Sequence, residues 1–383
     1  MANSPLSNAK NAKFDEFYTQ YSDIEKEMNA YLDFDANVFR GKTVFLPCDD
    51  PEWSNFTKYF AQNFERLGLA KLISTSYAPT AAAHRMQPTI WESSSPQFDP
   101  GKTQVNGKIF TLSRDVSGDR RINVDDLEYE YLDGDGDFRS KEVTRLRDEA
   151  DIIVTNPPFS LFREFLAWIV KGGKKFVIIG SVNAITYKDV FRLLKADKMW
   201  LGNGFQSGNA YFKPLSEREY ASGVFDSETK LVKFRNVVWY TSLDHGRRHQ
   251  PLSLMTMEEN LRFSKHKDIR GRTAYEKYDN YDAIEVPFTD AIPSDYAGVM
   301  GVPISFLDKR SPEQFEIVGV CENADLYGLK TKVYSSEECK KAYLEKFGKA
   351  GTYDLNASGV VLRGGLKEKV YYRILARHRR PAA

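Results

Sequence analysis

Apolar positions along the chain fall into short runs separated by polar, helix-spaced stretches. Phe14, Phe17, Tyr18, Tyr21, Ile24, Met28 and Tyr31 recur at a helical period and predict an amphipathic helix over Phe14 to Tyr31. Val44-Phe45-Leu46 predicts a strand, followed by a helix from Ser54 through Leu67 and a second strand from Ala70 to Thr75, a β-α-β start. Ala78 to about Thr111 is rich in Ser, Pro, Thr and Gln with no sustained period and reads as an insertion or long loop. Leu127 to Tyr131 is the next ordered stretch. A helix over Lys141 to Glu149, a buried strand from Asp151, a helix over Leu161 to Val170 closed by Gly172-Gly173, a strand over Phe176 to Gly180, a helix over Tyr187 to Ala196 and a late strand over Val237 to Leu243 follow. Such alternation implies an α/β fold with a mostly parallel sheet covered on both faces.

Composition narrows the class. At 383 residues the chain exceeds the usual single-core limit, so two domains or one enlarged domain are expected. An apolar fraction of 42%, with 25 Phe and 21 Tyr, is ample for a packed globular core. The longest apolar runs are too short to span a bilayer, so no membrane association is expected. The first twenty residues lack the apolar core of an export signal. Cys48, Cys321 and Cys339 are scattered and odd in number, which fits a reducing cytoplasm rather than a disulfide framework.

Net charge is only +1, so charge alone does not mark a nucleic-acid binder. Basic clusters do gather late in the chain, at Arg247-Arg248-His249, over Lys265 to Arg272 with Arg270 between, and at Arg377-His378-Arg379-Arg380. Solvated faces and a charged tail account for such clusters as well as phosphate contacts do. His245 and His249 flank the first cluster without a third ligand of the usual kind, and no metal is expected there.

The candidate chemistry lies in Asn156-Pro157-Pro158-Phe159, directly after the apolar run Asp151-Ile152-Ile153-Val154-Thr155. A buried parallel strand ending in such a loop puts its polar residue at the carboxyl edge of the sheet, where α/β folds bind ligands. Two prolines stiffen the backbone, remove two N–H donors and leave carbonyls to accept. The amide oxygen of Asn156 and the carbonyl of Pro157 could then take both hydrogens of an exocyclic amine, leaving its lone pair aimed at a methyl sulfonium, while Phe159 stacks on the ring. A stiff strand-to-helix turn with no chemistry is the plain alternative.

Two further segments are candidates for holding a cofactor. Asp133, Asp135 and Asp137 occupy the first, third and fifth positions of a calcium loop, and Asp115, Ser117, Asp119 and Asp126 make a partial match upstream. Both lack Gly at the sixth position, where Phe138 and Arg120 stand, so calcium is not expected. The better reading places Asp137 at a strand end, its carboxylate accepting from the adenine amino group of a cofactor while Phe138 covers the ring; an acidic structural turn is the alternative. After the first strand, a Gly-rich phosphate cradle is absent. Pro47, Cys48, Asp49, Asp50 and Asn55 stand there instead, with Pro51 and Ser54 or Asn55 marking a helix start. S-adenosylmethionine carries no phosphate, and its ammonium and ribose hydroxyls want acceptors such as Asp49 and Asp50; an Asp-Asp-Pro cap is the competing account.

The blocks Gly134-Asp135-Gly136-Asp137-Phe138-Arg139-Ser140, Thr155 to Arg163, Asn183 to Lys188 and Gly301 to Lys309 resemble those of the EcoRI-type adenine-specific DNA methyltransferases, in the same order, from about Val44 to about Gly319. The resemblance implies a Rossmann-like enzyme that uses S-adenosyl-L-methionine to methylate the N6 amine of adenine in double-stranded DNA, with base flipping and a restriction-modification setting. It also implies that Asn156, Pro157, Pro158 and Phe159 are catalytic and that Asp137-Phe138 and the Pro47 to Asn55 stretch meet the cofactor. The expected organisation is an N-terminal helical cover (1–40), a catalytic domain (41–245, insertion about 78–125) and a C-terminal DNA-recognition region (246–383), with Arg247, Arg248, Lys265, Arg270 and Arg272 as phosphate contacts. Methylation of RNA or of a protein glutamine, and a catalytically silent DNA-binding homologue, are the rivals. Recognition sequence, pairing with a restriction nuclease and oligomeric state stay open.

Overall fold

The computed structural model describes residues 17–49, 54–78, 97–205, 209–214 and 223–381. They divide into two compact units, the first comprising Met1–Leu194 with Lys198–Gly246, the second Lys195–Asp197 with Arg247–Ala383.

The first unit is built on an eight-stranded sheet. In chain order its strands are β2 (Thr43–Leu46), β3 (Lys71–Thr75), β4 (Lys108–Leu112), β5 (Glu128–Tyr131), β6 (Ile152–Thr155), β7 (Lys175–Ser181), β8 (Trp200–Leu201) and β12 (Val237–Thr241); across the sheet the order is β5-β4-β3-β2-β6-β7-β12-β8. Only the central pairs β3-β2, β2-β6 and β6-β7 are parallel; the flanking strands pair antiparallel, so the sheet is mixed rather than mostly parallel. Two strands of this sheet are unforeseen in the sequence, β8 and β4, the latter inside the stretch read as a loop. Its buried residues Lys108, Phe110 and Leu112 alternate with half-buried Ile109 and Thr111, a period-two pattern with a lysine on its inner face. The Lys108 ammonium lies 5.8 Å from the Tyr129 ring centroid.

Side-chain alternation divides the core. Val44, Leu46, Leu72, Ile152, Val154, Val177 and Ile179 join one cluster with α1 (Tyr21–Phe34) and α2 (Asn55–Gln62), which supply Ile24, Met28, Tyr31, Phe56, Tyr59 and Phe60. The intervening residues point the other way, where α5 (Phe162–Lys171) sends Phe162 against Tyr240 and Phe165 against Phe138. Here α3 is Phe64–Leu67 and α4 is Lys141–Glu149. The single helix expected over Ser54 to Leu67 is two, α2 and α3. Asn63 breaks them by turning its side-chain amide onto the Tyr59 carbonyl at 2.8 Å, competing with the backbone ladder.

A second sheet, β1-β9-β11-β10, contains β1 (Phe17–Thr19), β9 (Ala210–Pro214), β10 (Phe225–Asp226) and β11 (Leu231–Phe234), all antiparallel. The helix expected from Phe14 therefore begins at Tyr21, because Phe17–Thr19 pairs with Phe212–Pro214. Glu27 of α1 is fully buried. It accepts from the Tyr31 hydroxyl (2.5 Å) and from the N–H groups of Asn203 (2.9 Å) and Gly204 (3.1 Å), while burial pushes its carboxyl above the usual range.

The second unit holds a four-stranded sheet, β13-β14-β18-β15, made of β13 (Ala283–Glu285), β14 (Val299–Val302), β15 (Phe315–Val320) and β18 (Ile374–His378). The hairpin of β16 (Val360–Arg363) and β17 (Leu366–Lys369) accompanies it. The basic cluster at Arg377-His378 is thus not a loose tail: β18 runs between β14 and β15, and Arg377 pairs with Glu316 at 2.8 Å. Gly301 on β14 leaves room for Tyr278, whose hydroxyl would meet a β-carbon there at 2.0 Å and instead donates to buried Glu285.

Candidate active site

The central order β3-β2-β6-β7 turns direction between β2 and β6, since β2 to β3 steps one way and β6 to β7 the other. Parallel pairing brings the carboxyl ends of all four strands to one edge. In open α/β sheets the crevice at such a switch point is where ligands bind. Its two walls here are the segment after β2 and the segment after β6.

After β2, the chain turns sharply at Cys48, whose φ of +68° lies in the left-handed region that glycine favours. The absent Gly-rich turn is therefore replaced by a cysteine held in a glycine-like conformation. Asp49 follows, 6% exposed, and is tied on every side. Its N–H donates to Thr75 O (3.0 Å), its carbonyl accepts from Ser74 Oγ (2.5 Å) and its Oδ1 accepts from Ser54 Oγ (2.8 Å). The Thr155 Oγ1 lies 2.5 Å from both Asp49 Oδ2 and the Pro47 carbonyl oxygen, sharing one proton between two acceptors. Ser54 also caps α2 by accepting from Phe56 N at 3.1 Å. Asn55 Nδ2 donates to the Thr19 carbonyl (2.8 Å), which ties β1 to the start of α2. Asp50 lies outside the described residues.

After β6, Asn156 is half-buried, Pro157 buried, and Pro158 and Phe159 half-buried. Pro158 O accepts from Leu161 N (2.9 Å), starting a 3-10 turn over Phe159–Leu161 that leads into α5. The Phe159 ring meets Phe234 of β11 edge-on at 6.2 Å between centroids. Asn156 thus sits one residue beyond the Thr155 hydroxyl that joins it to the β2 loop.

Asp137 does not end a strand. It follows the last residue of β5 by six positions, in the irregular segment before α4. Its carboxylate accepts from Arg139 N (2.8 Å) and from the Arg139 guanidinium, at 2.6 Å from one terminal nitrogen, which holds it below the usual carboxylate range. Phe138 is 4% exposed and packed between Phe165 and Trp168, at 5.1 and 5.6 Å between centroids, so its ring is part of the core. The segment nonetheless reaches the carboxyl edge. Gly136, at φ +85°, packs on Ser76 just past β3, so closely that a β-carbon would lie 2.1 Å from Ser76 O.

Upstream, Asp115, Asp119 and Asp126 bring carboxylate oxygens within 4.8 Å of one another, a grouping with ligand types suited to a metal ion. Arg120 takes φ +65°, so the missing glycine did not prevent the turn. The Asp126 carboxyl is held low, chiefly by the Ser117 N–H it accepts (2.8 Å).

The late cations are mostly occupied. Arg247 pairs with Asp308 (2.5 Å), Lys265 with Asp290 (2.6 Å) and Arg272 with Glu276 (2.9 Å). Arg248 and Arg310 both reach Asp197, at 3.3 and 2.6 Å; burial pushes that carboxyl up, but the two guanidiniums outweigh it and leave it low. Exposed Arg270 forms no ion pair among the described residues. Sequence reasoning assigned Thr155 and Gly136 no role of their own and Ser54 only that of a possible helix cap, which it is. Only strand order reveals that Thr155 faces the β2 loop.

A mixed α/β sheet with an Asn-Pro-Pro-Phe loop at its switch point is compatible with a group-transfer enzyme. The model of the family described as "Adenine-specific methyltransferase EcoRI" matches residues 5–379, and the chain belongs to that family. A curated relative named Type II methyltransferase M.EcoRI, from Escherichia coli, is 41% identical over 326 residues, which cover 84% of this chain and 91% of the relative. Type II methyltransferases M.MpnI of Mycoplasma pneumoniae and M.MgeORF184P of Mycoplasma genitalium are each 32% identical, over 86% of this chain and 90% of their own length. No solved structure matches the chain. The protein is an adenine-specific DNA methyltransferase, and its chemistry requires a methyl donor. No helix among the described residues is long and apolar enough to cross a membrane.

Proposed function

We propose that the chain methylates the exocyclic N6 amine of an adenine rotated out of duplex DNA, with S-adenosylmethionine as the donor. The observation that carries this reading is the position of Asn156–Phe159 on the wall of the switch-point crevice, joined through Thr155 to the loop after β2. We read the eight-stranded sheet as Rossmann-like on the same ground. The donor suits this edge by charge: it is cationic, and the buried Asp49 carboxylate, already bonded to Ser54 and Thr155, would place negative charge beside it. When bound, it would supply a methyl group on a sulfonium.

The protein's own residues do the rest. The Asn156 amide oxygen and the Pro157 carbonyl would accept the two amino hydrogens and draw the nitrogen lone pair out of conjugation, so that the nitrogen can take a methyl group while one of its protons passes to solvent. Phe159 offers its ring to the flipped base, with Phe234 bracing its edge. The Pro47–Asp49 turn and the Asp137 segment, both at the carboxyl edge, line the donor's side. Phe138 contributes packing beneath that segment and Asn55 anchors β1. The second unit supplies target recognition, with exposed Arg270 as a phosphate contact and Lys265, Arg247 and Arg272 available by exchange of their acidic partners. The Arg248–Asp197 pair serves the unit's own packing. Because duplex DNA is its substrate, we place the enzyme in the cytoplasm, in a type II restriction-modification setting.

Asn156→Ala tests the reading. Methyl transfer to duplex DNA should fall to background while equilibrium binding of S-adenosylmethionine persists; undiminished turnover would remove Asn156 from the chemistry.

A further inference from the structure

Resting on the DNA reading above, we propose that the outer face of the β1-β9-β11-β10 sheet is a second DNA-binding surface, which grips phosphates of the duplex beside the flipped adenine. The register sorts this sheet into two faces. Directly paired residues share a face, and successive residues alternate. Thr19, Phe212 and Val232 are paired across three strands, as are Ala210 and Phe234, and together they form the inner face. That face is apolar apart from buried Thr19 and touches the Asn156–Phe159 loop, since Phe234 meets Phe159 at 6.2 Å and Phe212 at 5.5 Å.

The residues between them point outward. Tyr18 pairs with Lys213, and Tyr211 pairs with Lys233, whose ammonium lies 5.8 Å from the Tyr211 ring centroid. Lys213 and Tyr211 are exposed, and Lys233 is half-exposed. Neither lysine forms an ion pair among the described residues, in contrast to Arg247, Arg248, Lys265 and Arg272 of the second unit. Arg235, just past β11, adds an exposed cation. Asp226, the last residue of β10, is paired with Leu231 and so shares the outer face with Lys233; it accepts from Glu228 N (2.9 Å) in the turn to β11 and forms no ion pair among the described residues. Lysines interleaved with tyrosines on a flat β face suit a sugar–phosphate strand, which offers anions and apolar sugar surface together. Lys233 and Phe234 are neighbours on one strand, so the cation that would hold a phosphate and the ring that braces Phe159 are mechanically one element.

The test uses the full-length protein and a fluorescein-labelled mixed-sequence DNA duplex, with the dissociation constant followed against salt concentration. The K213A/K233A variant should bind about tenfold more weakly near 0.1 M salt, and the magnitude of its log–log salt slope should drop by about 2. Affinity for S-adenosylmethionine and the unfolding midpoint should stay at wild-type values, and K213R/K233R should restore the slope. A K213A/K233A slope equal to wild type, in a protein that still methylates adenine, overturns this surface and leaves the DNA reading intact. A wild-type protein that neither binds nor methylates duplex DNA overturns both.

Discussion

The Thr155 hydroxyl lies 2.5 Å from the Asp49 carboxylate, joining residues 106 apart in the chain across the two walls of the switch-point crevice. It makes the geometry of the Asn156 loop depend on that of the β2 loop. Thr155→Val keeps the shape and removes the proton, so a buried carboxylate loses one hydroxyl partner. We expect a loss of about 1–3 kcal/mol in urea denaturation and slower methyl transfer, with Thr155→Ser close to wild type in both. Equal behaviour of the Val and Ser variants would separate the bond from the function.

Gly136 carries two demands at once, a φ of +85° and contact with the Ser76 carbonyl. Gly136→Ala should cost more than about 2 kcal/mol, well above the roughly 1 kcal/mol expected of Gly41→Ala, which has a φ of +68° but open space around it. Paired denaturation curves of the two variants decide whether contact adds to backbone strain.

In the second unit, buried Glu285 accepts from Arg373 at 2.6 Å, and the Tyr278 hydroxyl donates to the same carboxylate. Glu285→Ala strands a buried guanidinium and should destabilise by about 3–5 kcal/mol, the range for removing one partner of a buried pair. A loss under about 1 kcal/mol by chemical denaturation would mean that water or another acid replaces it.

Asp137 supplies a pH signature. Arg139 holds its carboxyl below the ordinary range, so the folded state binds its proton less readily than the unfolded chain does. The stabilisation is complete above the unfolded-state value of about 4 and is lost as pH falls through the depressed folded value. The denaturation midpoint should therefore fall with acid below about pH 4, and less steeply in Arg139→Gln.

Much of this was legible in the residues. The buried run before Asn156, the helix over Lys141–Glu149 and the β2 and β3 strands lie where the pattern of apolar and polar residues put them. The resemblance blocks led to the family. The misses have physical causes. Lys108 hid β4, because a buried lysine breaks the apolar alternation that marks a strand. Phe17–Thr19 fell in register with the helical period of α1, and only pairing with a strand nearly two hundred residues later reveals it as β1. Phe138 looked available as a ring face, yet its burial is set by Phe165 and Trp168 on α5. The T-x-x-E and S-x-x-E capping boxes at Thr256–Glu259 and Ser335–Glu338 were readable signals for the helices Met257–Phe263 and Ser336–Phe347 that the pattern of apolar residues alone did not raise.

The most direct measurement is the identity of the methylated nucleoside. The purified protein is incubated with methyl-labelled S-adenosylmethionine and mixed-sequence duplex DNA, and the DNA is digested and resolved. The account predicts label in N6-methyladenine and none with Asn156→Ala; label confined to cytosine, or no label in DNA from a protein that binds the donor, would contradict it.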